Sequence, residues 1–112
     1  MSESAILKES TRDYCQDGRK FVVRYEFVSR KNPEAYLIRA LLKEKTADGQ
    51  DLETTSSVEL GYPYLKLGEQ IFDLIKDAPN PVFPVHLYEI VRDQISRTLL
   101  DSVHFTWRTS PL

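Results

Sequence analysis

The dipeptide Asp17-Gly18 restricts the fold of this chain more than any other feature of its sequence. A two-residue type I′ hairpin turn needs two successive residues with positive φ, and Asp-Gly meets that requirement. The residues that follow alternate between an apolar and a more polar face, and the apolar face carries Phe21, Val23, Tyr25 and Phe27. The sequence therefore predicts two antiparallel strands that meet at residues 17 and 18, with the aromatic face of the second strand in the core.

Two more extended segments are predicted after this hairpin. The composition of segment 35–45 admits a helix as well as a strand, but the turn-forming residues 47–50 suit a second hairpin, and we interpret the segment as a strand. Residues 51–60 alternate between apolar and polar side chains, which is typical of a strand with one buried and one solvated face. The strands, over about residues 5–60, are expected to form an antiparallel meander of three to four strands.

The C-terminal half of the chain has helical periodicity. An amphipathic helix is predicted over about residues 64–78, with apolar residues at Leu67, Ile71, Leu74, Ile75 and Ala78. Pro84 suits the first turn of a second helix because its missing N–H would have no partner there, and this helix is predicted over about residues 84–100. For residues 101–112 the sequence favours an irregular tail or a short edge strand.

The order of these elements, strands first and helices second, predicts an α+β fold in which two antiparallel C-terminal helices cover one face of the sheet. A chain of 112 residues is long enough for one hydrophobic core and too short for two, so residues 1–112 are expected to form a single domain. Hydrophobic residues make up 41% of the chain, which is typical of a globular protein and too many for a disordered one.

The segment 82–93 resembles the closing motif of a family of small bacterial proteins that have no assigned activity. In that family a proline, one further residue, then His-Leu-Tyr and an acidic residue open the last helix, after several strands and another helix. The matching residues here are Pro84, His86, Leu87, Tyr88, Glu89 and Asp93. The resemblance implies the same organisation of strands and helices, with Asp17-Gly18 at the family's early hairpin, and it implies no activity.

Several classes of function are disfavoured by the composition. No apolar run approaches the roughly 18 residues that cross a bilayer, so no membrane span is expected. A net charge of −2 gives no general attraction to nucleic acid. Four widely separated glycines form neither a GxGxxG motif nor a P-loop, and no cofactor is expected. The single cysteine, Cys15, cannot form an intramolecular disulfide and no secretory leader is recognised, so the expected compartment is the cytoplasm.

One group of residues in the second predicted helix could support chemistry. His86, Glu89 and Asp93 are spaced so that they share one side of that helix near its start. They could bind a divalent metal, or His86 and Glu89 could act as a base and its orienting partner. The other interpretation is that His86 packs at the helix start while the carboxylates form a solvated face. Because no second His-rich or Cys-rich motif is present, we assign no metal and no catalytic residue, and keep a small metal-dependent enzyme or binder as the alternative function.

Aromatic residues concentrate toward the connections and the C-terminus, at Tyr62, Tyr64, Phe83, Tyr88, Phe105 and Trp107. Such residues can close a small core, but exposed Tyr and Trp are typical anchors of protein interfaces. The sequence therefore favours a non-enzymatic protein-interaction or regulatory module that binds a protein partner or a second copy of itself. The candidate binding residues are His86, Tyr88, Glu89, Phe105 and Trp107. An exposed sheet edge is the other candidate contact.

A basic sheet face with aromatic residues is the remaining candidate site. Lysines and arginines on the predicted strands are interleaved with Tyr25, Phe27 and Tyr36, a pattern that can bind single-stranded RNA through stacking and phosphate contacts. The aromatic residues, however, fall on the face that we assign to the core. We therefore expect an ordinary solvated face and no nucleic-acid partner.

Overall fold

A computed structural model of the chain describes residues 4–31, 34–45, 49–61 and 64–109, with side-chain surroundings up to residue 98. It contains four strands and two helices, which are β1 (Ser4–Gln16), β2 (Arg19–Arg30), β3 (Ala35–Lys45), β4 (Asp51–Gly61), α1 (Leu65–Lys76) and α2 (Pro84–Thr109). The strands form one antiparallel sheet in the order β1-β2-β3-β4, and both helices pack on the same face of it. The α+β prediction is confirmed, with four strands rather than three, and segment 35–45 is a strand.

The first hairpin has the geometry that the sequence predicts. Asp17 has φ 54° and Gly18 has φ 76°, the two successive positive values of a type I′ turn. Gln16 and Arg19 pair directly across this turn, and the pairing of β1 with β2 continues to the start of β1 with one irregularity between Ile6 and Lys8. The turn thus sets which side chains of β2 lie under the helices.

The core lies between the sheet and the two helices. As predicted, the aromatic face of β2 points into this core. Tyr25 and Phe27 are fully buried, and the Phe27 ring lies against the Phe72 ring of α1 with 6.4 Å between the centroids. The strand register places the buried residues of β2 beside those of β3, and those of β3 beside those of β4. The buried core cluster comprises Val23, Tyr25, Phe27, Ile38, Ala40, Val58, Leu60, Ile71, Phe72, Ile75, Val82, Leu87 and Val91.

Helix α1 lies unusually close to the sheet at Gly68. A Cβ atom built on this glycine would lie 2.6 Å from Cε1 of Phe27 and 3.1 Å from Cδ1 of Leu60, so no side chain fits there without displacing the core. On its other side α1 is tied to the edge strand β1, because the Lys8 ammonium lies 3.5 Å from a carboxylate oxygen of Asp73. These contacts hold α1 over β2 and β3, while α2 covers β3 and β4.

The prediction for the C-terminal end was wrong over residues 101–109. Helix α2 runs to Thr109 instead of ending near residue 100, so these residues are neither an irregular tail nor an edge strand. The physical reason is visible in the sequence: neither glycine nor proline occurs between Pro84 and Pro111, and nothing in the backbone chemistry ends the helix earlier. Residues 110–112 lie outside the described part of the chain.

None of the helices in the described ranges combines the length and the apolar character needed to cross a membrane. Helix α2 is long enough, but charged and polar residues interrupt it along its whole length.

Candidate interaction surface on helix α2

The position of α2 is set by a buried tether between β2 and the loop before the helix. The Tyr25 hydroxyl donates a hydrogen bond to the Val82 carbonyl oxygen at 2.9 Å, and it accepts one from the Val82 N–H at 2.8 Å. Beside this tether the Phe83 ring contacts the rings of Tyr14 and Phe21. The loop is therefore fixed to the sheet just before Pro84, the first residue of α2.

Burial keeps the Tyr25 hydroxyl in its neutral form. Desolvation raises the pKa of Tyr25 above its ordinary value of 10.0, while the hydrogen bond with Val82 and the nearby positive charge of Arg12 act in the opposite direction. The Arg12 side chain itself donates to the Ala78 carbonyl oxygen at 2.5 Å. The strands therefore fix the connection between the helices at two points, Ala78 and Val82.

The first half of α2 packs on the sheet. Pro84, Leu87 and Val91 are buried, and Ile95 is partly buried against the core. Thr98 comes one turn later on the same side of the helix, yet it is exposed. On this side of α2 the last partly buried side chain before the exposed Thr98 is Ile95, and residues 96–109 continue the helix by about 21 Å at 1.5 Å per residue.

A second side of α2 is exposed and carries apolar residues. Val85 is 74% exposed and Tyr88 is 59% exposed, and Arg92 and Ser96 continue the same side at intervals of four residues. We call this side, defined by Val85, Tyr88, Arg92 and Ser96, the outer face of α2. Large apolar side chains with this much exposure are typical of residues that bind another molecule when they lie together on one surface.

An apolar groove of about 700 Å³ lies between α1, α2 and the segment that connects them. It is lined by Gln70, Asp73, Leu74, Ile75, Asp77, Ala78, Pro79, Val82, Ile90 and Gln94. Its apolar lining could accept an apolar side chain, but the lining residues include no nucleophile beside a general base. Asp73 at its rim already pairs with Lys8. The groove offers binding surface and no set of groups for catalysis.

The residues predicted as a binding or metal site do not all lie on one side of α2. His86, Tyr88 and Glu89 are all exposed on α2, but His86 does not share the outer face with Tyr88. Asp93 lies 3.2 Å from the Arg97 guanidinium, one turn along the helix. The side chains of Phe105 and Trp107 lie outside the described ones, although both positions belong to α2.

The structure does not bring His86, Glu89 and Asp93 together as a metal site. Where side chains are described, no three His, Cys, Asp or Glu residues lie close enough to hold one ion. Cys15 is a free, exposed cysteine at the end of β1. The helical spacing predicted for the three α2 residues is correct, but three side chains on one side of a helix over two turns do not surround a single point.

A buried carboxylate on the open face of the sheet was missed at the sequence level. Glu26 is only 5% exposed, and its oxygens lie 3.2 Å from the Arg24 side chain and 3.1 Å from Arg39. Arg24 also contacts Glu9 at 2.5 Å. The register pairs Glu26 with Arg39, so a predicted hairpin between β2 and β3 was the signal that could have found this network.

The same geometry disfavours RNA binding on the sheet. Tyr25 and Phe27, whose rings would have to stack on bases, are fully buried under the helices. On the opposite face, arginines that could contact phosphates are engaged by carboxylates, as Arg24 and Arg39 are with Glu26. Neither face of the sheet therefore combines free cations with exposed rings over the described strands.

Comparisons of the chain with protein-family models, with curated protein sequences and with solved structures find no match. The resemblance of segment 82–93 to a bacterial family stays a prediction from the sequence. The geometry of α2 is the basis on which a function can be assigned.

Proposed function

We propose that this chain is a non-enzymatic protein-interaction or regulatory module that binds its partner through the outer face of α2 and the continuation of that helix to Thr109. The observation that carries the proposal is the exposed outer face of α2, where Val85 is 74% and Tyr88 is 59% exposed on a helix that continues to Thr109. A helix face that is exposed to water adds little to the stability of the helix by itself. A partner that covers it would supply the missing packing.

The composition of the continuing helix supports this proposal. In sequence, residues 96–109 include Leu99, Leu100, Val103, Phe105 and Trp107. Aromatic residues such as Phe and Trp are enriched in protein interfaces, and Trp is enriched among the anchors of their binding energy. Of these, Leu99, Val103 and Trp107 follow the exposed Val85 and Tyr88 at helical spacing and would extend one binding surface along most of α2.

The alternative function, a small metal-dependent enzyme or binder, has less support. It would use His86, Glu89 and Asp93, which are exposed and form no metal-holding group among the described side chains. Binding of zinc or manganese by the wild-type chain and its loss in His86→Ala, measured by isothermal titration calorimetry, would establish it.

We also propose that the protein is cytoplasmic, because its single cysteine forms no intramolecular disulfide.

We expect Trp107→Ala to weaken the assembly of the chain with its partner by at least about tenfold, because aromatic anchors at interfaces contribute about 2 kcal/mol or more. His86→Ala is the matched control on the same helix and should leave assembly unchanged. Native mass spectrometry of the gently isolated protein would report the mass and stoichiometry of both variants. Equal assembly of the Trp107→Ala variant and the wild type would rule out the end of α2 as the contact.

A further inference from the structure

We infer that the partner on the outer face of α2 is a second copy of this chain, which pairs with it through α2 in an antiparallel arrangement centred near Ser96. This inference rests on the proposed function and adds the identity of the partner. It draws on the exposure of the outer face, on the spacing of residues along α2 and on the distribution of charge along that helix.

The spacing of the outer face continues beyond the described side chains. Val85, Tyr88, Arg92 and Ser96 are followed in sequence by Leu99, Val103 and Trp107 at the same intervals of three and four residues. These intervals repeat every 11 residues, and the resulting period of about 3.7 residues per turn matches a nearly straight α-helix. Since α2 is one continuous helix from Pro84 to Thr109, these positions form one stripe along it.

The two ends of this stripe match each other under a two-fold rotation about its centre. Ser96 lies midway between Val85 and Trp107, so an antiparallel copy centred on Ser96 places Trp107 of one chain opposite Val85 of the other. The same antiparallel pairing places position 104 of one chain opposite Tyr88 of the other, so Val103 lies one residue from that position. A two-fold interface requires a surface that matches itself in this way, whereas a surface for an unrelated partner does not. The small Ser96 side chain at the centre lets the two helix axes approach toward the short end of the usual 8–10 Å.

Charge favours the antiparallel arrangement over the parallel one. Residues 84–95 carry Glu89, Asp93 and Arg92, a net charge of −1, and residues 96–109 carry Arg97, Arg108 and Asp101, a net charge of +1. Antiparallel pairing sets the negative half of each helix beside the positive half of the other. Parallel pairing would place the two negative halves side by side and the two positive halves side by side, and the repulsion between like charges disfavours the parallel orientation.

A disulfide test distinguishes these arrangements. In a Cys15→Ser background, which removes the exposed free cysteine, we compare Ser96→Cys with Arg92→Cys as the matched control on the same stripe. In the antiparallel pair the two residues at position 96 face each other, whereas the two at position 92 lie about 12 Å apart along the helices. Because a disulfide needs Cα atoms within about 7 Å, mild oxidation should link Ser96→Cys at least about tenfold more than Arg92→Cys.

The outcomes separate this inference from the proposed function. Efficient linking of Arg92→Cys would indicate a parallel pair and overturn the inference. A monomeric mass with no linking of either variant would exclude the second copy. In that case, a different protein that is co-isolated with the wild type and lost in Tyr88→Ala would overturn only the inference, while the absence of any co-isolated protein would overturn the proposed function as well.

Discussion

Replacing Tyr25 by phenylalanine should lower the free energy of unfolding by about 2–6 kcal/mol, because it leaves two buried backbone groups without partners, at about 1–3 kcal/mol each. In the wild type, the Tyr25 hydroxyl satisfies both the N–H and the carbonyl oxygen of Val82, and Val82 is 7% exposed. The substitution leaves the ring in place, so it removes the tether and creates no large cavity. Urea unfolding monitored by circular dichroism would measure the loss.

Tyr88→Phe is the matched control, because it removes the same hydroxyl from a tyrosine that is 59% exposed. It should change the free energy of unfolding by less than about 0.5 kcal/mol. Equal effects of the two substitutions would mean that the Val82 tether does not stabilise the fold.

Because of the same tether, the free energy of unfolding should depend on pH. The pKa of Tyr25 is raised in the folded chain above its ordinary value of 10.0, so the unfolded chain releases this proton first as the pH rises. The stabilisation is therefore complete below pH 10.0 and is lost as the pH rises through the higher pKa of the folded state. Unfolding of the wild type and of Tyr25→Phe, compared between pH 9 and pH 11, should show a steeper loss for the wild type.

Leu87→Ala should destabilise the fold by about 2–5 kcal/mol, because truncation of a fully buried leucine removes its burial and leaves a cavity. Leu87 is 0% exposed and belongs to the packed side of α2. A total stability of about 5–15 kcal/mol is usual for a domain of this size, so the loss would be a large part of it. The midpoint of urea unfolding would measure the change.

Leu74→Ala provides the control with the same chemical change. Leu74 lies on α1 and is 56% exposed, so its truncation should cost less than about 1 kcal/mol. A larger loss at Leu74 than at Leu87 would show that the packed side of α2 is assigned incorrectly.

Much of the fold could be predicted because its signals are local. The Asp17-Gly18 turn determines the first hairpin through the positive φ of both residues, and the alternation after it identifies the buried face with Tyr25 and Phe27. The helices were found through their apolar period and through Pro84. In each case neighbouring residues in the chain decide the outcome.

What the sequence did not predict depends on contacts between distant residues. The tether joins Tyr25 to Val82, and the buried Glu26 depends on pairing with Arg39 across two strands. No local pattern marks either contact. The exposure of Val85 and Tyr88 likewise depends on how α2 lies on the sheet, which the period of the helix does not specify. The outer face could therefore be suspected from Tyr88 and Trp107 but not located.

The central claim is that α2 of this chain binds a second copy, and the most direct test is the mass of the unmodified chain in solution. Sedimentation equilibrium across a dilution series should give twice the 13.0 kDa of one chain at the higher concentrations and dissociation at the lower ones. A mass of 13.0 kDa at every concentration would contradict the claim.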